Sequence, residues 1–339
     1  MPDPYRRGLP AALQLHSLTD WPEVETRLLG RFPIEEIHLA YNWTYEQLQR
    51  WARSPLLQSV KTLHISGNPI EPLRVLRHHG AALAHLQSVH LLRGTGAGFT
   101  VALDEFLRAP IGQQLRELHL HVGHTHQVPY LLEALAAAPP LHALTLRNCG
   151  VQPAHLAELA QLPALQRVQR VDLSHNLLGL AGLQSLLTTH PWPAVHTLRL
   201  EAIGLEYQPT TEIVYAVSSG LPATALAALD LSRNRHRYLD LTPFWQHPVC
   251  AQLRSLHLRA AGHLLAATPL LQLPCFPHLV EIDLRDTDAD DLQQLWRGLP
   301  HATTPPPALT AVVVSRDRLS AHLYTELASI FGDKLILAD

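Results

Sequence analysis

VQRVDLSHN (168–176) alternates apolar and polar residues around Val171 and Leu173, then runs out through polar residues to Asn176. Alternation over so short a stretch marks a strand with one buried face, and the polar close marks a turn. The phrase is not unique. IEEIHLAYN (34–42), VKTLHISGN (60–68), LQSVHLLRG (86–94), LRELHLHVG (115–123) and LHALTLRNC (141–149) precede it. VHTLRLEAI (195–203), LAALDLSRN (226–234), LRSLHLRAA (253–261), LVEIDLRDT (279–287) and LTAVVVSRD (309–317) follow it. The third apolar position of the eleven copies falls at 39, 65, 91, 120, 146, 173, 200, 231, 258, 284 and 314, in steps of 26 to 31 residues. A repeat period of this size means like units, each burying its apolar face against its neighbours.

Helical patterns fill the intervals. TYEQLQRW (44–51) carries a Thr44/Gln47 capping box ahead of Leu48 and Trp51. PAHLAELAQLP (153–163) opens on proline and sets Leu156, Leu159 and Leu162 on one face. DADDLQQLWRGLP (288–300) places acidic residues in its first turn, where they favour the positive end of the helix dipole. Prolines such as Pro139, Pro140, Pro163, Pro191 and Pro300 then stop the helices.

The pattern L-x-x-L-x-L-x-x-N/C resembles the leucine-rich repeat superfamily, and strand–turn–helix units of this length resemble its ribonuclease-inhibitor-like subclass. The resemblance covers nearly the whole chain. It implies an α/β fold, a right-handed horseshoe solenoid with parallel strands on the concave face and helices on the convex face. One domain is expected over 1–339: a degenerate repeat and cap over 1–33, eleven repeats over 34–319, and a closing helix and strand over 320–339. The ninth position holds Asn42, Asn68, Cys149, Asn176 and Asn234, whose side chains can bond backbone groups that the turn leaves unpaired. Gly94, Gly123, Ile203 and Ala261 stand there instead in other copies, which predicts less regular turns.

Composition narrows the function classes. The 339 residues are 47% hydrophobic and 16% charged, with a net charge of −3, so no broad basic field invites nucleic acid. No apolar run approaches the ~20 residues that span a bilayer, and Gln14 and His16 interrupt the N-terminal apolar stretch. The three cysteines, Cys149, Cys250 and Cys275, have no metal-type spacing and fit a reduced, cytoplasmic compartment. RGTGAGF (93–99) lacks the Gly-Lys-Ser/Thr ending of a phosphate loop. No catalytic constellation and no cofactor motif emerges, so a non-enzymatic role without cofactor is expected.

Residues between the buried positions of each strand point outward and stack into columns. One column reads His38, His64, His90, His119, Thr145, Asp172, Arg199, Asp230, His257, Asp283, Val313. The next reads Ala40, Ser66, Leu92, His121, Arg147, Ser174, Glu201, Ser232, Arg259, Arg285, Ser315. Four histidines therefore open the first column, in a chain with 23 histidines, and mixed charges follow.

The expected function is a protein-interaction scaffold whose partner docks on these columns: His38, His64, His90, His119 and His121 at one end, and Arg147, Asp172, Arg199, Glu201, Asp230, His257, Arg259, Asp283 and Arg285 at the other. Arg235, Arg237 and Tyr238, in the loop SRNRHRYLDLTPFWQHP (232–248), add interface-type residues. Two other uses of the histidines stay open. Closely spaced imidazoles should titrate below their usual ~6.5 and make binding pH-sensitive. Alternatively His90, Glu117, His119 and His121 offer three nitrogens and a carboxylate to Zn²⁺, although side chains two apart on a strand diverge. The long-repeat resemblance also extends to the Ran GTPase-activating protein, which leaves regulation of a small GTPase as an alternative that no short motif here identifies.

Overall fold

The computed structural model describes residues 5–6, 9–10, 12–19, 21–28, 31–40, 43–94, 98–123, 127–189, 192–205, 226–234, 248–261, 273–296 and 307–339. β1 (Tyr5–Arg6) and β2 (Leu9–Pro10) form a short antiparallel sheet of their own. The chain then divides into two compact units, residues 1–151 with 157–168, and residues 152–156 with 169–339.

The first unit contains β3 (Ala12–Leu15), β4 (Glu36–Ala40), β5 (Thr62–Ser66), β6 (Ser88–Leu92), β7 (Glu117–His121) and β8 (Ala143–Arg147). Each pairs in parallel with the next. The second contains β9 (Arg170–Asp172), β10 (Thr197–Arg199), β11 (Ala228–Asp230), β12 (Ser255–His257), β13 (Glu281–Asp283), β14 (Ala311–Ser315) and β15 (Leu335–Ala338), again parallel and in sequence order. This is an α/β solenoid, the fold that the leucine-rich repeat resemblance implies. Among the described residues, no helix is long and apolar enough to cross a membrane.

The alternation within each phrase does the work expected of it. Ile37, Leu39, Leu63, Ile65, Val89, Leu91, Leu118 and Leu120 are fully buried, and the residues between them are not. Each such side chain contributes about 1.5–3 kcal/mol through removal from water. The helices bury apolar side chains of their own, among them Leu48, Trp51, Leu73 and Leu103. In the helix Tyr45–Ala52 the capping box is formed: Thr44 Oγ1 accepts from Gln47 N at 3.2 Å and Gln47 Oε1 accepts from Thr44 N at 2.9 Å. Pro153 opens a 3₁₀ turn rather than an α-helix, and the helix proper is Leu156–Gln161, with Leu156, Leu159 and Leu162 buried. The helix Ala321–Phe331 precedes the edge strand β15.

Among the described residues, nine phrases reverse after the strand through a residue in the left-handed region. Gly67, Arg93, Asn148, His175, Ala202, Arg233, Ala260 and Asp286 hold this position in eight phrases, with φ between 51° and 100°. In the phrase 115–123 the left-handed residue is instead Gly123 (φ 81°), one place later. The turns ending on Ile203 and Ala261 were expected to be irregular, but they keep the common backbone. Ile203 N donates to Asn234 Oδ1 at 2.8 Å, so the asparagine of one repeat serves the turn of the previous one. Asn234 Nδ2 also donates to Leu200 O at 2.8 Å and Leu231 O at 2.9 Å, all fully buried. Cys149 likewise reaches back a repeat, its Sγ donating to Leu120 O, while Asn176 donates to Leu173 O of its own phrase. Asn68 differs: it is exposed, and its Oδ1 accepts from Ile70 N at 3.1 Å, at the start of the next helix. Asn42 lies outside the described residues.

β4 to β8 are five residues long, whereas β9 to β13 are three. In three of the five short strands an aspartate of the outward column bonds the backbone just ahead of it. Asp172, Asp230 and Asp283 each accept, through Oδ1, from the backbone N–H two residues ahead, at 2.9, 2.9 and 3.1 Å. Such local side-chain-to-backbone bonds compete with the sheet and curl the chain out of it. β10 and β12 are equally short with Arg199 and His257 at that position.

Candidate functional site

The register sets Gln14, His38, His64, His90, His119 and Thr145 side by side across β3 to β8. The four imidazoles stack face to face. Ring centroids are 4.0 Å apart for His38–His64, His64–His90 and His90–His119, with planes 2°, 18° and 8° from parallel. Parallel strands lie ~4.8 Å apart, so the rings lean over to reach van der Waals contact.

A second column, two residues earlier in each strand, holds the rings in place. Glu36 Oε1 lies 2.6 Å from His38 Nε2 and 3.1 Å from His64 Nε2. Ser88 Oγ lies 3.2 Å from His90 Nε2 and donates to Glu117 Oε2 at 3.3 Å. Glu117 Oε2 also faces His119 Nε2 at 3.5 Å, and Thr145 Oγ1 meets His119 Nδ1 at 2.8 Å. Carboxylates only accept, and the Ser88 hydroxyl has its proton on Glu117, so each Nε2 carries a proton. In the neutral state His119 Nδ1 accepts from Thr145. The column is therefore one tautomer repeated four times.

The interior of the stack resists protonation. Burial, with the adjacent His38 next, lowers the His64 pKa to about 4, against the upward pull of Glu36. Burial, followed by His119 and His64, lowers that of His90 to about 2. A second proton placed 4 Å from the first would meet a repulsion of about 1 kcal/mol in water and several times that near a protein surface.

Stacking also bears on metal binding. Among the described residues, the possible ligand atoms that gather within 4.8 Å belong to Glu36, His38 and His64, not to His90, Glu117, His119 and His121. A zinc ion sits ~2.0–2.1 Å from an imidazole nitrogen, along its in-plane lone pair. Rings stacked in parallel cannot both aim that lone pair at one ion. Either histidine set would have to unstack first.

Several charged residues of the second unit are engaged with one another. Beyond the turns made by Asp172 and Asp230, Arg285 forks onto Asp283, with Nη2–Oδ2 at 2.6 Å, and Asp283 is buried. Arg259 Nε donates to Asp286 Oδ2 at 2.6 Å, which holds the Asp286 pKa below the usual carboxylate range. Glu201 lies 3.5 Å from His175 and 3.4 Å from Arg233. His257 repeats the serine contact of His90, with Ser255 Oγ at 2.9 Å. Arg199 is exposed, while His121 and Arg147, paired in register on β7 and β8, are half-buried. Arg235, Arg237 and Tyr238 lie outside the described residues. Cys149, Cys250 and Cys275 are buried, and burial pushes the Cys275 thiol up to about 12.

Glu36, Ser88 and the capping role of Thr145 were not among the residues expected to form the site. The periodic phrase itself held the signal. The residue just before the second apolar position runs Glu36, Thr62, Ser88, Glu117, Ala143, and every second residue of a strand shares a face.

No family model matches the chain, and no curated protein matches it. Among solved structures, the chain is similar to one in the crystal structure of the Rad7 and Elc1 complex in yeast, with a TM-score of 0.49, 14% identity, and 94% of this chain and 87% of that chain covered. It is also similar to the leucine-rich repeat-containing protein LegL7 from Legionella pneumophila, with a TM-score of 0.49, 18% identity, and 82% of this chain and 90% of that one covered.

Proposed function

We propose that this protein is a non-enzymatic scaffold that binds a protein partner on the outward strand face of its first unit, centred on His64 and His90. The observation that carries this reading is the stacked, single-tautomer histidine column. Four side chains are held in one geometry by Glu36, Ser88, Glu117 and Thr145. Order that is present before binding lowers the entropy cost of association. The second unit supports the reading by contrast, since several of its outward charges are committed to its own turns and ion pairs. It plays a supporting part at most, through Arg199. Three buried cysteines without metal-type spacing suit a reducing compartment, and we place the protein in the cytoplasm on that ground.

The test is comparative capture from a native lysate. Wild-type protein, a His90→Ala/His119→Ala variant and an Arg285→Ala control are immobilised at equal density. The histidine variant should lose at least one partner that the control keeps. Identical partners on all three surfaces would refute a binding site on the histidine face.

A further inference from the structure

The histidine column has two edges of different chemistry. At the Nε2 edge stand two carboxylates, Glu36 on β4 and Glu117 on β7. At the other edge, Nδ1 of His38, His64 and His90 has no hydrogen-bond partner among the described residues. With Nε2 protonated, each of these Nδ1 atoms is a bare acceptor. The outward positions of β3 to β7 are Ala12 and Gln14; Glu36, His38 and Ala40; Thr62, His64 and Ser66; Ser88, His90 and Leu92; and Glu117, His119 and His121. Apart from the histidines, the only formal charges in that set are the two carboxylates. Lys61, at the border of β5, is matched by Glu35 at 2.8 Å. Arg93 and Arg116 lie beyond the strand ends, and Arg147 lies on β8. The face is thus rich in acceptors and locally negative. It suits a cationic donor and opposes an acidic one.

Spacing makes the ligand more specific. Three strand steps of ~4.8 Å separate β4 from β7, about 14 Å in all. The 4.0 Å ring spacing shortens this somewhat at the side-chain level. A fully extended peptide advances ~3.4 Å per residue and returns to the same face every second residue, so its i and i+4 side chains are also about 14 Å apart. We propose that the partner contributes an extended segment with basic side chains at i and i+4, laid across β4 to β7 with one cation at Glu36 and the other at Glu117. The i+2 side chain then lies over His64 and His90, where a hydroxyl or amide donor meets bare Nδ1 acceptors. This assignment rests on the docking reading above and adds the chemistry of the partner.

The experiment measures fluorescence anisotropy of labelled peptides at pH 7.5 and low salt. The core Arg-Ala-Ser-Ala-Arg is compared with Arg-Ala-Arg and with Glu-Ala-Ser-Ala-Glu. The protein is tested as wild type, Glu36→Gln, Glu117→Gln and Glu36→Asp, each checked by circular dichroism. The i, i+4 basic peptide should bind wild type more tightly than either comparison peptide. Each Gln variant should lose about fivefold, the worth of one exposed ion pair near 1 kcal/mol, and Glu36→Asp should keep most of the binding. Equal or tighter binding of the acidic peptide, or basic-peptide binding indifferent to both Gln variants, would overturn the assignment. If Glu36→Gln fails to fold, Glu117→Gln decides alone. A basic peptide that does not bind, while lysate capture still depends on His90 and His119, defeats this inference and leaves the docking face standing. Indifference in both experiments defeats both.

Discussion

Acid should weaken this fold through the middle of the histidine stack, and the size of the effect follows from two groups. His64 and His90 titrate at about 4 and about 2 in the folded protein, against ~6.5 in an unfolded chain. Both folded values are depressed, so the folded state holds these rings neutral where the unfolded chain takes up protons. Stability is therefore complete above pH ~6.5 and falls as pH falls. His64 stops contributing to the loss near pH 4, and His90 continues toward pH 2. Each group costs about 1.4 kcal/mol per pH unit inside its window, or about 2 kcal/mol by pH 5 and about 4 kcal/mol for the pair. That is a large fraction of the 5–15 kcal/mol typical of a folded domain. Other histidines and the carboxylates add slopes of their own, so the informative quantity is a difference. Urea unfolding, followed by tryptophan fluorescence at pH 7.5, 6.5, 5.5 and 5.0, should be run on wild type and His90→Gln. The variant, lacking one of the two groups, should lose about 2 kcal/mol less than wild type between the first pH and the last. Parallel losses would refute the reasoning, and so would a His90 ring that titrates near 6.5 by NMR.

Two further predictions concern the turns. Asn234→Ala strands the buried Ile203 N–H and the Leu200 and Leu231 carbonyls, at about 1–3 kcal/mol for each unpaired group. It should therefore lower the urea midpoint far more than Asn68→Ala, which removes one exposed bond at a helix start; equal losses would show that the buried asparagine does not bridge repeats. Ala202→Gly relieves a left-handed alanine at φ 51°, a strain of about 1–2 kcal/mol, offset by about 0.5–1 kcal/mol of unfolded-state entropy. The variant should be more stable by up to about 1 kcal/mol in urea, and a less stable variant would mean that the alanine methyl makes contacts that matter more than its strain.

Reading the chain alone went furthest where period and chemistry coincide. Eleven phrases in register dictate parallel strands, their buried leucines and the helices between, because alternation and repeat length leave one way to bury those side chains. The column His38–His64–His90–His119 was legible for the same reason: strands in phase bring equal positions together. Other points were not. Local propensity marked Ile203 and Ala261 as irregular, yet Asn234 of the following repeat supplies the bond that Ile203 needs, and the turn at Ala261 keeps the same left-handed residue. The aspartates of the second unit had the look of partner-facing charges, whereas their carboxylates close their own turns.

What the sequence determines by itself is thus the order of strands and the identity of each column, both fixed by periodicity. What only the tertiary structure decides is how neighbouring columns meet. Whether the imidazoles stack or splay, which nitrogen carries the proton, and that Glu36 joins two rings depend on side-chain tilt between strands, and no one-dimensional pattern encodes that tilt. Stacking at 4.0 Å gathers a row of imidazoles, with His64 and His90 held neutral chiefly by burial, into an acceptor-rich strip with a carboxylate near each end.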